Sequence, residues 1–258
     1  MWRVARRREA SKPAMRDLSI IIGVKDRSRA MCSRRPLTLF PRCMDSIIRA
    51  QQALPTIMFE VVIVDWSSTD WPLHEWVYVM CGTFLPIEIV TVNQPGFLRG
   101  RARNIGARRA NSDMLFFLDA DMLLGADGLR TCYEAARQGK AVFPICRTFN
   151  DQDHTIVGGW GHSTGNVCLS RETWLKAGQW REWKFWGPED WYFHDACQKV
   201  TTVVRPDTPD IIHQWHPDSW RGEVRKYKNY VPPPGEEGAP GEGTCDHRAG
   251  IGGPEAGG

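Results

Sequence analysis

The chain has 258 residues, of which 42% are hydrophobic and 24% are charged, and its formal net charge is +3. These values are ordinary for a globular protein with a substantial core, and the small charge does not call for a nucleic acid or an anionic membrane as partner. No apolar run approaches the roughly 20 residues of a membrane span, and residues 1–16 lack the apolar region of a signal peptide, so we expect neither.

Composition changes at both ends of the chain. Residues 1–17 carry six arginine or lysine side chains and two acidic ones, which predicts a disordered basic arm. Residues 229–258 are rich in proline, glycine and glutamate, and we expect a disordered tail there. The sequence therefore predicts a single folded domain over residues 18–228.

Eight cysteines are spread along the chain without a C-x-x-C pair, so neither a disulfide framework nor a zinc site is indicated. We expect most of these thiols to be buried in a protein of a reducing compartment, which predicts a cytoplasmic location. For the basic arm we expect a solvated tail, with a weak contact to phosphate or to a membrane surface as the alternative. Twelve tryptophans are a high count; we expect most of them in the core, with a sugar-stacking groove as the alternative.

Between the two ends, apolar strand-like runs alternate with helix-like segments. In the first half the predicted strands are Leu18–Val24, Phe59–Val64, Ile87–Val92 and Met114–Leu118, and the predicted helices are Leu37–Leu54, Trp71–Met80 and Gly100–Ala110. In the second half we predict helices over Leu129–Gly139 and Asp190–Lys199, a strand over Ala141–Cys146, and strands or extended loops at Val200–Val204 and Ile211–His216. This alternation predicts an α/β fold, with a mostly parallel sheet covered by helices on both faces.

The run Met114–Leu118 is short, apolar and rich in aromatic residues, and it is followed by two aspartates, Asp119 and Asp121. A strand buried on both faces cannot hold unpaired charges cheaply, so these aspartates are expected at its carboxyl end. Open α/β sheets bind ligands at that edge, and two carboxylates there suit Mg²⁺ or Mn²⁺ with a bound diphosphate. An acidic turn without a metal is the alternative interpretation.

Four segments together resemble one family of enzymes. In chain order they are SIIIGVKDR at Ser19–Arg27, VVIVDWSSTD at Val61–Asp70, GRARNIGARRANSDMLFFLDAD at Gly100–Asp121 and GNVCLSRETWLKAGQWREWKFWGPED at Gly165–Asp190. They are similar to the first strand, the V-V-D-D-G-S-T-D segment, the A-R-N-x-G helix with its D-x-D, and the W-G-x-E-D segment of GT-A glycosyltransferases. The inverting family-two enzymes and the related β-1,4-galactosyltransferases are the nearest groups. The resemblance covers residues 18–216 and implies the GT-A fold.

The resemblance implies a metal site for the diphosphate of a nucleotide-sugar donor. Asp121 would bind the metal directly, and Asp119 would contact the ribose or stand behind the metal ligand. In the galactosyltransferases a histidine-containing segment completes the site, and His216 and His213 fall on its two positions, His216 being the first choice. An imidazole beside carboxylates favours Mn²⁺ over Mg²⁺. Two histidines without a metal are the alternative.

The resemblance also implies a general base. Asp190 would take the proton of the acceptor hydroxyl, and Glu189 would hydrogen-bond the acceptor sugar. In-line attack would then invert the anomeric configuration. The same two acids begin a predicted helix, where carboxylates are common for another reason, because they interact favourably with the helix dipole.

Further residues are assigned to donor and acceptor binding by the same resemblance. Asp65, at the end of the second strand, would bind uracil or ribose, although the Ser-Ser-Thr-Asp sequence after Trp66 also fits an Asx turn. The other residues expected on the nucleotide-sugar side or near the acceptor are Arg27, Arg103, Asn104, Gly165, Asn166 and Trp186.

Two residues depart from the family pattern. Trp66 replaces the second aspartate of the D-D-G-S segment, so any contact of that side chain is lost. Pro188 stands in a glycine position of the W-G-G-E-D segment, where it removes an N–H and fixes φ. We therefore expect the geometry of the acceptor loop to differ from that of the family.

The sequence predicts a metal-dependent, inverting glycosyltransferase that moves a sugar from a UDP-sugar to a hydroxyl of a carbohydrate or other acceptor. A retaining transferase, a nucleotidyltransferase and a non-catalytic carbohydrate-binding protein are the alternatives. A nucleotidyltransferase would normally carry a glycine-rich phosphate loop with a lysine, whereas Ile22–Arg27 has one glycine and one lysine. A nucleic-acid acceptor is the less favoured partner, since basic termini are usually only solvated.

Overall fold

The computed structural model of the protein describes residues 16–32, 35–162, 164–183 and 188–217, all within one compact unit. Apart from Arg16 and Asp17, the predictions for the basic arm and the tail concern residues outside these ranges. The strands are β1 (Leu18–Val24), β2 (Ala30–Cys32), β3 (Arg35–Leu37), β4 (Phe59–Asp65), β5 (Ile87–Thr91), β6 (Met114–Phe117), β7 (Met122–Leu124), β8 (Ala141–Val142), β9 (Ile145–Phe149), β10 (Val157–His162), β11 (Val167–Ser170), β12 (Val203–Val204) and β13 (Asp207–His213). The helices are α1 (Leu39–Ala53), α2 (Leu73–Cys81), α3 (Arg99–Arg109), α4 (Ala126–Arg137), α5 (Arg171–Lys176) and α6 (Pro188–Val200).

Seven strands form the central sheet, in the order β12-β8-β11-β6-β1-β4-β5. β1 pairs in parallel with β4 and β6, β4 pairs in parallel with β5, and β12 pairs in parallel with β8. β11 is the exception, because it runs antiparallel to both of its neighbours, β6 and β8. The predicted α/β fold with a mostly parallel sheet is therefore confirmed.

Helices cover both faces of this sheet, and the alternation of side chains along β1 shows how. Ile20 is fully buried in a cluster that includes Phe40 of α1. Its neighbour Ile21 points to the opposite face, where it is fully buried in a second cluster with Trp174 of α5 and Phe193 of α6. Burial on both faces is why the strands of the first half read as unbroken apolar runs.

A smaller sheet has the order β10-β9-β13-β7 and was not predicted. The predicted single strand Ala141–Cys146 is wrong, because the chain leaves the central sheet after β8 and enters the smaller sheet at β9. Pro144 lies at this break, and proline has no N–H to donate to a strand ladder. The strand β13 belongs to this smaller sheet, and it carries the first of the two predicted metal-binding histidines.

The helix predicted from Leu129 begins three residues earlier, at Ala126. Asp210 of β13 is the cause, since its carboxylate accepts hydrogen bonds from the backbone N–H groups of Asp127 and Gly128, each with an N···O distance of 3.0 Å. These are N–H groups of the first turn, which have no partner inside the helix. A cap supplied by a distant strand leaves no mark in the local sequence, so the boundary was missed.

Of the predictions from composition, the burial of most cysteines is confirmed for the described residues, whereas only some of the tryptophans lie in the core. The seven cysteines within these ranges are buried and carry free thiols. Trp66, Trp76, Trp174 and Trp180 are buried in the core. Among the helices of the described part of the chain, none combines the length and the apolar character required to cross a membrane.

Candidate active site

The predicted site residues gather at the carboxyl edge of the central sheet. Asp65 is the last residue of β4, and Asp119 follows shortly after β6. Both strands pair in parallel with β1, so their carboxyl ends lie at the same edge. The D-x-D segment therefore occupies the edge at which open α/β sheets bind their ligands.

Asp121 forms a compact cluster with His213 and His216. One ligand atom from each of the three side chains lies within 4.8 Å of the others. Nε2 of His216 is 3.4 Å from Oδ2 of Asp121, and Nε2 of His213 is 3.8 Å from Oδ1. Asp121 and His216 are buried, with exposed fractions of 7% and 6%. The fold thus brings together the three residues that the sequence proposed as metal ligands.

Strand pairing delivers the histidines to Asp121. β13 runs antiparallel to β7, and His213 lies opposite Met122, the residue next to Asp121. The backbone N–H of Gln214 donates to the carbonyl of Asp121 over 2.8 Å, and its side chain donates to the carbonyl of Leu39 over 2.8 Å. Gln214, which sequence reasoning missed, therefore holds the histidine segment in place. Its partners are distant in the chain, so no local signal could have revealed it.

The carboxylate of Asp121 is held in its ionised form. Burial by itself would raise its pKa, but His213, His216 and Arg27 lower the pKa well below the ordinary value of an aspartate. Nε of Arg27 lies 4.0 Å from Oδ2 of Asp121. One ionised carboxylate with two imidazoles is a mixed oxygen and nitrogen donor set, which fits a divalent cation such as Mn²⁺.

Asp119 faces Arg103 of α3. Nη2 of Arg103 donates to Oδ1 of Asp119 over 2.9 Å, while the backbone N–H of Asp119 donates to Oδ1 of Asn166 over 2.8 Å. Nη1 of the same guanidinium donates to Oδ1 of Asp190 over 2.5 Å. One buried guanidinium therefore joins the D-x-D segment to the first turn of α6.

Glu189 precedes Asp190 in this first turn and is buried, with an exposed fraction of 2%. Burial and then the charge of Asp190 raise the pKa of the Glu189 carboxyl, while Arg103 and Arg99 act in the opposite direction. The two neighbouring acids thus have unlike surroundings. Asp190 has a guanidinium partner, and Glu189 keeps its proton to a higher pH than a free glutamate does.

Asn104 and Asp65, both predicted to bind the donor, are bonded to the protein backbone. Nδ2 of Asn104 donates to the carbonyl of Trp180 over 2.8 Å, and Oδ1 accepts from the N–H of Trp180 over 3.0 Å. Oδ1 of Asp65 accepts from the N–H of Ser68, three residues on, over 2.9 Å, whereas an Asx turn would use the residue two positions on. Their contacts with a nucleotide stay predictions.

Gly165 and Asn166 precede β11 and lie against the D-x-D segment. A Cβ atom added to Gly165 would lie 2.7 Å from Nη2 of Arg103, 2.8 Å from Oδ2 of Asp119 and 3.2 Å from Oδ2 of Asp190. Asn166 is fully buried. Trp186, the remaining residue predicted on the acceptor side, lies outside the described residues.

Trp66 stands where the family has an aspartate, and the structure makes it a core residue. Its side chain is fully buried, and its ring packs on that of Phe97 with the centroids 5.8 Å apart. It belongs to a small apolar cluster with Val64 and Ala102. The departure therefore turns a polar family position into part of the packing between β4 and α3.

His154 is a further residue that the sequence did not single out. Arg42 donates to its Nδ1, and its Nε2 lies 3.0 Å from the carbonyl of Trp215. A ring nitrogen that accepts from an arginine carries no proton, so Nε2 is the donor and the imidazole is neutral. Trp215 lies between Gln214 and His216, so His154 supports the histidine segment from the side of the smaller sheet.

We expect His154 to make the stability of the protein depend on pH. Burial, the largest cause, lowers the pKa of His154, so the unfolded chain binds more protons than the native chain in mildly acidic solution. The neutral imidazole of His154 therefore adds to the free energy of unfolding above the pKa of about 6.5 that it has in the unfolded chain. This stabilisation is lost as the pH falls from there through the lower pKa of the folded protein. His154→Asn should therefore reduce the fall in melting temperature between about pH 7 and pH 5.

Asparagine suits this test because residue 154 has a φ of 55°, a conformation that asparagine tolerates. His74→Gln is the matched control, since His74 is exposed on α2 and should leave the pH profile unchanged. Equal falls in melting temperature for the wild type and the His154→Asn variant would contradict the assignment of a neutral imidazole.

Comparison of the sequence with known proteins gives a family and distant relatives. The sequence model of the family described as Glycosyl transferase family 2 matches residues 30–198. Human chondroitin sulfate N-acetylgalactosaminyltransferase 2 is 29% identical over 154 residues, which are 50% of this chain and 28% of that protein. Human chondroitin sulfate N-acetylgalactosaminyltransferase 1 is 26% identical over 148 residues, 46% of this chain and 27% of that protein. The chain thus spans less than a third of the curated relatives that it matches.

Comparison of structures supports the fold. The crystal structure of S. aureus TarS 1–349 in complex with UDP-GlcNAc has a TM-score of 0.63 and 14% identity, covering 83% of this chain and 61% of that chain. The complex of the same protein with UDP has a TM-score of 0.60, covering 79% of this chain and 62% of that chain. At this identity the likeness concerns the fold alone, and it confirms the GT-A-like architecture that the sequence implied.

Proposed function

Since the chain belongs to glycosyl transferase family 2, we propose that it is a metal-dependent, inverting enzyme that transfers a sugar from a UDP-sugar to an acceptor hydroxyl. Membership of the family makes the chain a glycosyltransferase. The metal, the stereochemistry, the donor and the roles of individual residues form the proposal.

One observation carries the proposal. A single guanidinium, that of Arg103, is hydrogen-bonded to Asp119 of the D-x-D segment and to Asp190 at the start of α6. Asp121, with its two histidines, is two residues from Asp119. Side chains that can hold a cation for the leaving diphosphate and a carboxylate that can accept the proton of the attacking hydroxyl therefore lie close together. Transfer of a sugar from a nucleoside diphosphate requires both.

Asp121, His213 and His216 are the residues that would hold a divalent cation. When bound, such a cation supplies positive charge to the departing diphosphate. Arg27 adds a second positive charge beside Asp121 and would bind the same phosphates. The buried position of Asp121 limits access of water to this end of the site.

Asp190 is the proposed base. Its carboxylate takes the proton of the acceptor hydroxyl as the oxygen attacks the anomeric carbon, and the bond from that carbon to the diphosphate breaks. Glu189, which is buried beside Asp190 in the first turn of α6, is suited to hydrogen-bond the acceptor sugar. Attack from the side opposite the leaving group inverts the configuration of the anomeric carbon.

The relatives suggest which donors should be tested first. The human proteins are named as N-acetylgalactosaminyltransferases, and TarS was crystallised with UDP-GlcNAc. We infer that UDP-N-acetylhexosamines are the first donor class for this chain, ahead of UDP-glucose and UDP-galactose.

A UDP-release assay tests the proposal. The protein is incubated with UDP-GlcNAc, UDP-GalNAc, UDP-glucose or UDP-galactose, together with a mixture of sugar acceptors and Mn²⁺. The reactions are then repeated with EDTA. We expect Mn²⁺-dependent release of UDP from an N-acetylhexosamine donor and loss of that release in EDTA. No release from any donor would contradict the proposal. NMR of the product then decides the stereochemistry, and retention at the anomeric carbon would remove Asp190 from the role of base.

A further inference from the structure

Arg103 differs from the other arginines of α3 in its surroundings. Its side chain has an exposed fraction of 4%, whereas Arg99 is half-buried and the side chains of Arg101, Arg108 and Arg109 have exposed fractions of 40%, 51% and 59%. The sequence assigned Arg103 to the nucleotide, yet both of its terminal nitrogens bind carboxylates of the protein. A charge at this depth is costly unless it is paired, and here it has two anionic partners.

The two partners of Arg103 belong to different halves of the site. Asp119 follows β6 on the donor side, whereas Asp190 lies on α6, 87 residues from Arg103 in the chain. Burial alone would lower the pKa of the Arg103 guanidinium, but Asp190, Asp119 and Glu189 raise it above its ordinary value. The guanidinium is therefore a permanent positive charge between these carboxylates.

Packing holds the guanidinium in this orientation. It lies over the ring of Trp180, 4.2 Å from the centroid. The backbone of Trp180 donates one hydrogen bond to the side chain of Asn104, the neighbour of Arg103 on α3, and accepts another from it. The ring of Trp180 also stacks on Phe193 of α6, with centroids 4.0 Å apart. A rotation of the guanidinium would have to disturb the contact between α3 and α6.

Gly165 closes the remaining side. Oδ2 of Asp119 and Oδ2 of Asp190 both come within 3.2 Å of the place that a Cβ of residue 165 would take, and Nη2 of Arg103 comes within 2.7 Å. Such distances are shorter than normal contacts to a Cβ, so a side chain here would push the three charged groups apart. A Cβ at this position would therefore displace the side-chain ends that form the bridge of Asp119, Arg103 and Asp190.

We propose that Arg103 is the positioning residue of the transfer reaction, an inference that rests on the proposed function: it binds Oδ1 of Asp190 so that Oδ2 receives the proton, and it holds this carboxylate against Asp119 on the donor side. The acceptor O–H bond breaks, its proton goes to Oδ2 of Asp190, and the acceptor oxygen bonds to the anomeric carbon. The bond from that carbon to the diphosphate breaks, and its electron pair leaves with the diphosphate.

Substitution of Arg103 separates this role from donor binding. Arg103→Gln should lower kcat by about 100-fold, the lower part of what a general base contributes, and leave the Kd of UDP within about twofold. Arg103→Lys keeps the charge without the two-pronged geometry and should recover part of the lost kcat. Arg109→Gln is the control, because Arg109 lies on the same helix, is exposed and pairs with Glu88 of β5.

The double variant Arg103→Gln/Asp190→Asn shows whether the two residues act as a unit in kcat. Arg103→Gln should cost almost nothing further in a protein that already carries Asp190→Asn, because residues that act as a unit are not additive. If Arg103 is a donor ligand instead, Arg103→Gln raises the Kd of UDP by about tenfold or more with kcat unchanged, and the effects of the two substitutions multiply. Either of these results overturns the proposal.

Gly165→Ala tests the bridge with every charge retained. It should lower kcat by at least about tenfold, because the carboxylate of Asp190 moves from its productive orientation. A melting temperature close to that of the wild type shows that the variant is folded. Full activity of a folded Gly165→Ala variant would overturn the proposal.

Failure of the proposed function gives a different result, since the wild type would then release no UDP from any donor. The bridge is still testable by urea unfolding of the Arg103→Gln, Asp190→Asn and double variants. Coupled losses in the free energy of unfolding confirm the bridge, and additive losses show that Arg103 and Asp190 do not act together.

Discussion

Asp190→Asn should lower the rate of sugar transfer by a factor of about 10² to 10⁴, the usual contribution of a general base. Asparagine has nearly the shape of aspartate, and its amide oxygen can still accept the hydrogen bond from Arg103. It cannot take a proton from the acceptor hydroxyl. The affinity for UDP in the presence of Mn²⁺ should therefore change by less than about twofold, so that the loss lies in kcat. UDP release and titration calorimetry measure the two quantities separately.

Asp195→Asn is the matched control for this substitution. Asp195 lies on the same helix as Asp190, but its side chain is 61% exposed and faces His194. Its replacement should leave both kcat and UDP affinity unchanged. If Asp190→Asn abolished UDP binding, Asp190 would be a donor ligand and the assignment of the base would be wrong.

Asp121→Asn should remove the second essential function, the Mn²⁺-dependent binding of the donor. The amide lacks the negative charge that the buried Asp121 carboxylate keeps beside His213 and His216. We expect UDP affinity in Mn²⁺ to fall by at least about 100-fold, because loss of a group that only supports a metal ligand already costs about 10- to 100-fold. In the wild type, Mn²⁺ with UDP should raise the melting temperature, because a ligand that binds only the native state stabilises it. The variant should show no such rise.

Asp45→Asn serves as the control, since Asp45 lies on α1 with a side chain that is 60% exposed and paired with Arg49. Among the histidines, His216→Ala should cost more Mn²⁺ affinity than His213→Ala. His216 is the more buried of the two, and its Nε2 is closer to Asp121. A variant of Asp121 that keeps the full response to Mn²⁺ would rule this residue out as the metal ligand.

The first half of the fold was predictable because its strands and helices have clear patterns in the local sequence. β1 has the predicted bounds, Leu18–Val24, and β4 and β5 each differ from prediction by one residue at the carboxyl end. Apolar runs buried on both faces are visible without any knowledge of pairing. The second half was less predictable, because short elements such as β10 and β11 are defined by their partners.

The candidate site divides in the same way. The pair Asp119 and Asp121, the pair Glu189 and Asp190, and the histidine segment were recognisable from residue type, spacing and resemblance. Their grouping depends on the antiparallel pairing of β13 with β7, which places His213 opposite Met122. Register is set by long-range hydrogen bonds, such as the one from Gln214 to the carbonyl of Asp121, and these are invisible in a single sequence.

The sequence by itself determined that this chain has an alternating α/β core, two aspartates at the end of a buried strand and a family whose members are glycosyltransferases. Tertiary structure alone decided the surroundings of Arg103. In the sequence it is one of several arginines on a basic helix, all equal in charge. In the fold it is the one of this helix with a side chain buried to 4% exposure, between Asp119 and Asp190 and over Trp180. Burial and pairing are properties of the assembled layers, so no local pattern could separate this arginine from its neighbours.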